Sequence, residues 1–134
     1  MTVYKINDLV KFDFIKIPKT LFANPKYKEM SSDAKLTYAL LYDRLSLSIQ
    51  NNWINADGEV YLVYTRGAIA EDLGITYKKA IAAFKELKEN NLIIDKQCGH
   101  GMPNYIFIVK PELSDTEAKK YTNKENSRPA EMEC

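Results

Sequence analysis

Cysteine, histidine and glycine are scarce in this sequence, which has two cysteines, one histidine and five glycines. Cys98 and Cys134 cannot form a disulfide framework, and such low cysteine use is typical of a reducing compartment. Beyond Cys98 and His100 the only further thiol is Cys134, too few ligands for a tetrahedral zinc site, so we expect no metal. The lone histidine leaves no catalytic Ser/His/Asp or Cys/His set, and no glycine-rich phosphate-binding loop is present. We therefore expect neither a cofactor nor enzymatic activity.

Long apolar runs are also missing. The longest, such as Tyr105–Val109, have about five residues, whereas a membrane span needs roughly 20. The first residues contain no apolar signal-peptide segment and no cleavage site. The 134 residues are 46% hydrophobic and 28% charged, a globular composition, and at roughly 150 residues per domain they indicate one domain. We expect a soluble, cytoplasmic protein without membrane partners.

The net charge of +1 is unevenly distributed along the chain. Residues 112–134 hold six acidic and four basic residues, which leaves 15 basic and 12 acidic residues in 1–111. A mildly basic domain permits nucleic-acid binding without requiring it, because a clustered patch matters more than the total charge. We interpret 1–111 as the folded domain and 112–134 as a polar tail or linker. Ser114 and Glu117 form a potential capping box that would begin a helix in this tail.

Two segments near the N-terminus have clear secondary-structure patterns. Phe12–Ile17 is aromatic and β-branched and stops at Pro18, which predicts a short strand. Residues 18–30 have the composition of a loop with at most one helical turn. The run Ser31-Ser32-Asp33 then offers an N-cap for a long helix through about Gln50, in which apolar residues recur at spacings of three and four.

The segment Trp53–Tyr64 predicts a β-hairpin. Asp57 and Gly58 lie between two apolar runs, and glycine supplies the positive φ that a tight turn needs. Three aromatic side chains of this segment are candidates for a base-stacking platform, although we favour packing beside the helical core. They are Trp53, Tyr61 and Tyr64.

The middle of the chain has the pattern of a helix-turn-helix. Two helices are predicted, Arg66–Leu73 and Tyr77–Asn90, with Thr65 and Thr76 as their N-caps. Gly74 supplies the positive φ that the short turn between them requires. The residues expected to pack against the preceding long helix are Ile69, Leu73, Ile75, Ala80, Phe84 and Leu87.

Two further strands, Leu92–Lys96 and Tyr105–Val109, flank a glycine-containing loop over residues 97–104. A hairpin that follows a helix-turn-helix forms a wing. The sequence therefore predicts an α+β fold, a winged helix-turn-helix. It would have a mainly helical core, a β-hairpin wing and an additional N-terminal strand or hairpin.

The stretch from Thr76 to Lys85 in the second helix contains three lysines and no acidic residue. The first turn of this helix would enter the major groove of DNA, where lysine and tyrosine side chains can meet base edges or phosphates. The predicted DNA contacts are Arg66, Thr76, Tyr77, Lys78, Lys79 and Lys85, with His100 and Asn104 in the wing. Two alternatives stay open: an αα-hairpin that never touches DNA, and a solvated face in which Lys85 pairs with Glu89.

Several stretches of the chain resemble a known protein family. They are Phe14–Lys19, Leu21-Phe22, Ser31–Ser48, Asn52–Ile54, Asp57–Tyr61 and Gly99–Asn104. Over about residues 11–110 the sequence is similar to the N-terminal domain of RepA-type replication initiators, from large theta-replicating plasmids of Gram-positive bacteria. The block Ser31–Ser48 followed by Trp53 and Ile54 is distinctive, since a helix-turn-helix alone indicates only a winged helix.

This resemblance implies a non-enzymatic domain that binds double-stranded DNA at repeated origin sites (iterons), usually as a homodimer. It also implies a bacterial cytoplasmic protein, associated with the nucleoid or plasmid. A separate C-terminal domain, absent from these residues, would recruit host replication proteins. Two positions depart from the family pattern, Met102 in the wing and Ala82 in the second helix, where basic residues are common. Each departure removes a potential phosphate contact.

The predicted N-terminal strand is a candidate dimer interface, because an apolar strand without a covering partner can pair across a two-fold axis. Its apolar residues are Phe12, Phe14, Ile15 and Ile17. Alternatively, the strand adds to the Trp53–Tyr64 hairpin of its own chain. Two rival functions also stay open, a transcriptional regulator of the same fold and a winged-helix module that binds protein. Nothing in residues 65–104 separates the regulator from an origin-binding protein.

Overall fold

The computed structural model describes residues 1–8 and 12–126, so the end of the predicted tail, with Cys134, lies outside the described residues. A 3-10 helix at Ile6–Asp8 is followed by seven α-helices and three β-strands in this part of the chain. The helices are α1 (Thr20–Ala23), α2 (Pro25–Lys28), α3 (Ser32–Asp43), α4 (Leu45–Gln50), α5 (Arg66–Leu73), α6 (Tyr77–Glu89) and α7 (Asp115–Asn126). The strands are β1 (Tyr61–Leu62), β2 (Ile93–Lys96) and β3 (Tyr105–Ile108). Within the described ranges, no helix combines the length and the apolar character that crossing a membrane requires.

The core lies where α6 packs against α3 and α5. Leu73 and Ile75 are partly buried against this core, and the other four residues of the predicted apolar face are fully buried. Those four are Ile69, Ala80, Phe84 and Leu87. The predicted packing of the helix-turn-helix is therefore confirmed. Burial of one large apolar side chain of this kind contributes roughly 1.5–3 kcal/mol.

The three strands form one antiparallel sheet in the order β1-β3-β2, so β3 lies in the centre. The two predicted wing strands are confirmed, with Ile93 opposite Ile108 and Lys96 opposite Tyr105. On the other side of β3, the short strand β1 pairs through Tyr61 and Leu62. This pairing fixes the base of the wing to the segment that leads into α5.

The predicted Trp53–Tyr64 hairpin is confirmed only in part. The turn has Gly58 at a φ of +80°, as expected. The pairing within the hairpin is limited to one isolated bridge, and β1 takes β3 as its partner instead. The side chain of Asn55 accepts the N–H groups of Asp57 and Glu59, at 3.0 and 2.9 Å, so local bonds of the turn replace a longer ladder.

The single long helix predicted through Gln50 is wrong in one respect, because two helices, α3 and α4, meet at Arg44. The N-cap of α3 lies in the predicted run and is Ser31, whose hydroxyl accepts a backbone N–H from the first turn at 3.1 Å. The Arg44 guanidinium lies 4.4 Å from the centre of the Tyr64 ring and 3.9 Å from the Asp72 carboxylate. These contacts hold the break between the two helices against α5 and the residues that precede it.

The predicted N-terminal strand at Phe12–Ile17 is wrong, because these residues form no strand. A strand needs an edge to pair with, and the backbone N–H of Tyr61 at the β1 edge already donates to Trp53 at 3.1 Å. The alternative in which the segment adds to that hairpin is therefore wrong as well. Ile17 packs against the core, and the side chains that precede it are exposed. The exposed apolar side chains are Phe12, Phe14 and Ile15.

The chain that follows β3 is bonded to the first two helices. The backbone N–H of Glu112 donates to the Tyr27 hydroxyl at 2.9 Å, and the Glu112 carboxylate pairs with Lys26 at 2.9 Å. The predicted capping box is confirmed, since the N–H of Glu117 donates to the Ser114 hydroxyl and the Glu117 carboxylate accepts the Ser114 N–H. The N–H of Ser114 and then the hydroxyl of α1's first residue lower the pKa of Glu117. The direction in which α7 begins is thus fixed by α1 and α2.

Candidate nucleic-acid interface

The two helices of the helix-turn-helix begin and end as their sequence dictates. The Thr65 hydroxyl accepts the N–H of Ala68 at 3.0 Å, and the Thr76 hydroxyl accepts the N–H of Lys79 at 3.2 Å. Gly74 ends α5 in the left-handed conformation, with a φ of +69°. Each cap satisfies a backbone donor that the helix would otherwise leave unpaired. The start of α6 is therefore ordered by its own sequence.

α6 has one buried and one exposed face, separated as the helical period requires. The buried face consists of Ala80, Ala83, Phe84 and Leu87. The first turn exposes Tyr77, Lys78 and Lys79, and the Tyr77 side chain is 58% exposed. Neither ammonium group has an acidic partner among the described residues. This first turn is an exposed cationic surface beside an aromatic ring.

The acidic residues of α6 are engaged elsewhere. The alternative pairing of Lys85 with Glu89 occurs, at 4.0 Å between Nζ and Oε1, with both side chains largely exposed. An exposed pair of this kind contributes only about 0.3–0.5 kcal/mol, so it does not hold Lys85 firmly. Glu86 accepts the backbone N–H of Ser31 at 2.9 Å and also its hydroxyl. The Glu86 carboxylate is therefore bonded to the start of α3, and it forms no ion pair with the lysines of the cationic surface.

The wing loop is shaped by two glycines. Gly99 and Gly101 have φ values of +128° and +77°, conformations that other residues rarely adopt. His100 lies between them and is exposed, while Asn104 is half-buried directly before β3. Met102, one of the two departures from the family pattern, is 54% exposed. Its place at the loop surface means that a basic residue there would reach solvent or a ligand.

A recess of about 210 Å³ brings three of the eight predicted contacts together. It lies between the start of α5, the start of α6 and the end of the wing loop, and it is lined by Arg66, Tyr77 and Asn104 among others. The remaining predicted contacts lie outside it. They are Thr76, Lys78, Lys79, Lys85 and His100. The recess connects the two elements that a winged helix presents to DNA.

Arg66 is held by an interaction that the sequence did not indicate. Its guanidinium donates to the Asp95 carboxylate on β2, at 2.7 Å, and lies 4.5 Å from the centre of the Phe84 ring. The Asp95 side chain is only 2% exposed, whereas that of Arg66 is 27% exposed. The pair joins α5, α6 and the wing at one point. A lone acidic residue among the isoleucines of β2 was the only available signal.

Ile81 is a second residue that sequence reasoning missed. It lies one helical turn after Tyr77 and is 42% exposed. It is absent from the buried face of α6. The sequence signal for this exposure is the helical period. Ile81 follows Ala80 by one residue and is therefore rotated away from the face that Ala80 and Phe84 share. An exposed apolar group at this position can contact the methyl group of thymine.

The aromatic side chains beside the wing are packed, as expected. Tyr61 stacks on Tyr105 with ring centres 4.2 Å apart and on Trp53 with centres 6.2 Å apart. Tyr64 is buried and its hydroxyl donates to Asp72. Burial, followed by the bond to this carboxylate, raises the pKa of Tyr64 to about 12. Tyr64 therefore packs in the core, whereas Trp53 and Tyr61 are half-buried and pack on each other and on the wing strand β3.

A family model and a curated relative both match most of this chain. The model of the family described as the N-terminus of replication initiator protein A (RepA) matches residues 13–123. A curated relative, a 41 kDa protein of Lactobacillus helveticus, is 31% identical over 110 residues, which cover 78% of this chain. The chain spans 31% of the length of that relative.

Two solved structures share the fold over nearly their whole length. One, described as the structure of a Rep–DNA complex, is 33% identical with a TM-score of 0.75, covering 94% of this chain and 97% of that one. The other, described as the structure of an MDR initiator, is 35% identical with a TM-score of 0.72, covering 93% and 99%. The predicted winged helix-turn-helix fold is thereby confirmed.

Proposed function

The chain belongs to the family of the N-terminus of replication initiator protein A, and from this premise we propose that it binds duplex DNA at repeated sites of a plasmid origin. The observation that carries the proposal is the exposed cationic first turn of α6, which has the wing beside it and no acidic partner among the described residues. A solved relative of the same fold is described as a complex with DNA. Binding at such sites initiates and controls plasmid replication.

We propose that α6 reads the sequence from the major groove. Lys78 and Lys79 would donate to guanine O6 and N7, and Tyr77 and Ile81 would contact thymine methyl groups or phosphate. Phosphate contacts, which position the protein without reading sequence, fall to the N-cap residue of α6, to a lysine about two turns along that helix, and to the wing. They are Thr76, Lys85, His100 and Asn104. Arg66 differs from all of these, because its guanidinium is already bonded to Asp95.

The proposed role requires no chemistry from this domain, so it acts without enzymatic activity and without a cofactor, in the bacterial cytoplasm on plasmid DNA. Residues 1–111 form the DNA-binding part, and 112–134 lead toward a further domain. The curated relative is about three times as long as the matched region, which leaves room for such a domain. That domain would recruit host replication proteins.

The experiment that tests the function is duplex binding measured at two salt concentrations. A protein that neutralises several phosphates releases their counterions, so its affinity falls steeply with salt, with a slope of about −0.9 per phosphate contact. We expect such a slope on duplexes from the plasmid's own origin, and a footprint over its repeats. Absence of binding, or an affinity independent of salt, would contradict DNA binding and favour a protein-interaction module.

We further propose that the protein binds as a homodimer through Phe12–Ile17, since repeated sites suit a two-fold symmetric protein. The segment forms no strand within its own chain, and three of its apolar side chains are at least half exposed, at 60%, 67% and 50% for Phe12, Phe14 and Ile15. Pairing with a second copy would bury them and provide the strand partner that a single chain lacks.

Ile15→Pro is expected to weaken this dimer, because proline removes the N–H that a strand ladder needs. The helical core should keep its melting temperature, since Ile15 lies outside it. Sedimentation velocity over a range of protein concentrations measures the association. Asp13→Ala, a change of an exposed polar neighbour, serves as the control. A fully dimeric Ile15→Pro variant would move the interface elsewhere, with α7 as the next candidate.

A further inference from the structure

We propose that the Arg66–Asp95 pair is a positioning contact, which fixes the wing against α6 and acts on DNA binding through the placement of the wing. The inference rests on the proposed DNA-binding function. Asp95 is the second-last residue of β2, which leads into the wing loop, and Arg66 is the first residue of α5. The guanidinium lies on the ring of Phe84, which is fully buried in the middle of α6. One side chain therefore touches both helices and the wing.

The geometry of the pair favours positioning over a direct phosphate contact. A guanidinium bonded to a carboxylate at 2.7 Å is close to neutral as a unit, so it attracts a phosphate less than a free lysine does. The planar guanidinium fits the ring face and the carboxylate at the same time, which restricts its orientation. Lys78 and Lys79, by contrast, carry unpaired charges within the described part of the chain.

The burial of Asp95 points the same way. Its Oδ1 is buried and has no hydrogen-bond partner among the described residues, and its Oδ2 takes the bond from Arg66. An unsatisfied buried acceptor costs free energy, and apolar residues in place of a buried ion pair often give equal or greater stability. Stability alone is therefore a poor reason for a pair of this kind. What the pair supplies is a contact of fixed geometry that connects β2 to α5 and α6.

The recess next to the pair indicates which residues this contact positions relative to one another. Asn104, at the far end of the wing loop, and Tyr77, in the first turn of α6, both line the recess that Arg66 borders. Asp95 pairs with Ile106 in the β2–β3 register, and Ile106 is two residues after Asn104. A shift of β2 relative to α5 therefore changes the position of Asn104 relative to α6. The wing would then meet the backbone of DNA at a different place.

The test compares the wild-type protein with Arg66→Met/Asp95→Leu, which replaces both charges with apolar side chains and should preserve the folded state. On the origin duplex we expect an affinity loss of about tenfold, the scale of one lost contact, with an unchanged salt slope. Asn104→Ala should weaken binding in the wild-type background but have little effect in the double variant, because the wing is no longer held. Lys78→Ala, the matched control, should cost the same in both backgrounds.

Four results would overturn the inference. They are unchanged affinity of the double variant, a salt slope reduced by about one, equal effects of Asn104→Ala in both backgrounds, and no effect of Asn104→Ala in either. A reduced slope would identify Arg66 as a direct phosphate contact. Should thermal melting show that the double variant does not fold, Arg66→Lys takes its place in the same cycle, because lysine keeps the charge but lacks the planar group. A wild-type protein that binds no duplex would contradict the proposed function instead.

Discussion

Phe84→Ala is expected to lower the free energy of unfolding by about 3–5 kcal/mol, the usual cost of removing a fully buried aromatic ring. Phe84 has no exposed surface and lies in the cluster where α6 meets α3 and α5. The substitution also removes the ring on which the Arg66 guanidinium lies, 4.5 Å from its centre. Denaturant unfolding followed by circular dichroism measures the change.

Ile81→Ala is the matched control for this prediction. It removes an apolar side chain from the same helix, but that side chain is 42% exposed and outside the buried face. This variant should lower the free energy of unfolding by about 1 kcal/mol or less, because the truncation removes less buried apolar area. Equal losses for the two variants would show that α6 packs through a different face, which would remove the basis for its exposed cationic turn.

The helix-turn-helix could be predicted from the sequence because its determinants are local. Thr65, Thr76 and Gly74 act within a few residues of their own position, and the structure has them as two N-caps and a left-handed helix end. The apolar spacing of the two helices decides which face is buried, whatever the partner is. The confirmed wing strands and capping box rest on equally short patterns.

The predictions that the structure contradicts depend on interactions between residues that are far apart in the sequence. The sequence Phe12–Ile17 has strand composition, but a strand forms only when an edge is free to pair, and no local pattern reveals that edge. The break at Arg44 depends on Tyr64 and Asp72, residues 20 and 28 positions further along the chain. Composition alone cannot specify such pairings.

The candidate site shows the same division. Exposure of the lysines of α6 follows from the helical period and could be predicted. The bond of Arg66 to Asp95 joins residues 29 positions apart, and it becomes visible only once β2 lies beside α5. Charge and position alone therefore predict a DNA contact at Arg66, whereas the structure gives its guanidinium a partner within the protein.

Lys78→Ala and Lys79→Ala are expected to reduce sequence discrimination, each by roughly 1–3 kcal/mol, since a lysine that donates to guanine O6 and N7 distinguishes that base from others. Both side chains are exposed in the first turn of α6, the part of a recognition helix that reaches base edges. The affinity for a scrambled duplex should fall less than the affinity for the origin repeat. Titration of both duplexes with each variant, at one fixed salt concentration, measures the difference.

Lys85→Ala provides the contrast, because Lys85 lies about two turns further along the helix, nearer the phosphate backbone. It should weaken binding to both duplexes alike and reduce the salt slope by about one. Its exposed pair with Glu89, at 4.0 Å, is too weak to withhold the charge from a phosphate. Lys119→Ala, an exposed lysine of α7 outside the helix-turn-helix and the wing, should change neither affinity nor slope. If Lys78, Lys79 and Lys85 gave equal losses on both duplexes, α6 would bind the backbone without reading sequence. Specificity would then rest on the wing, through His100 and Asn104.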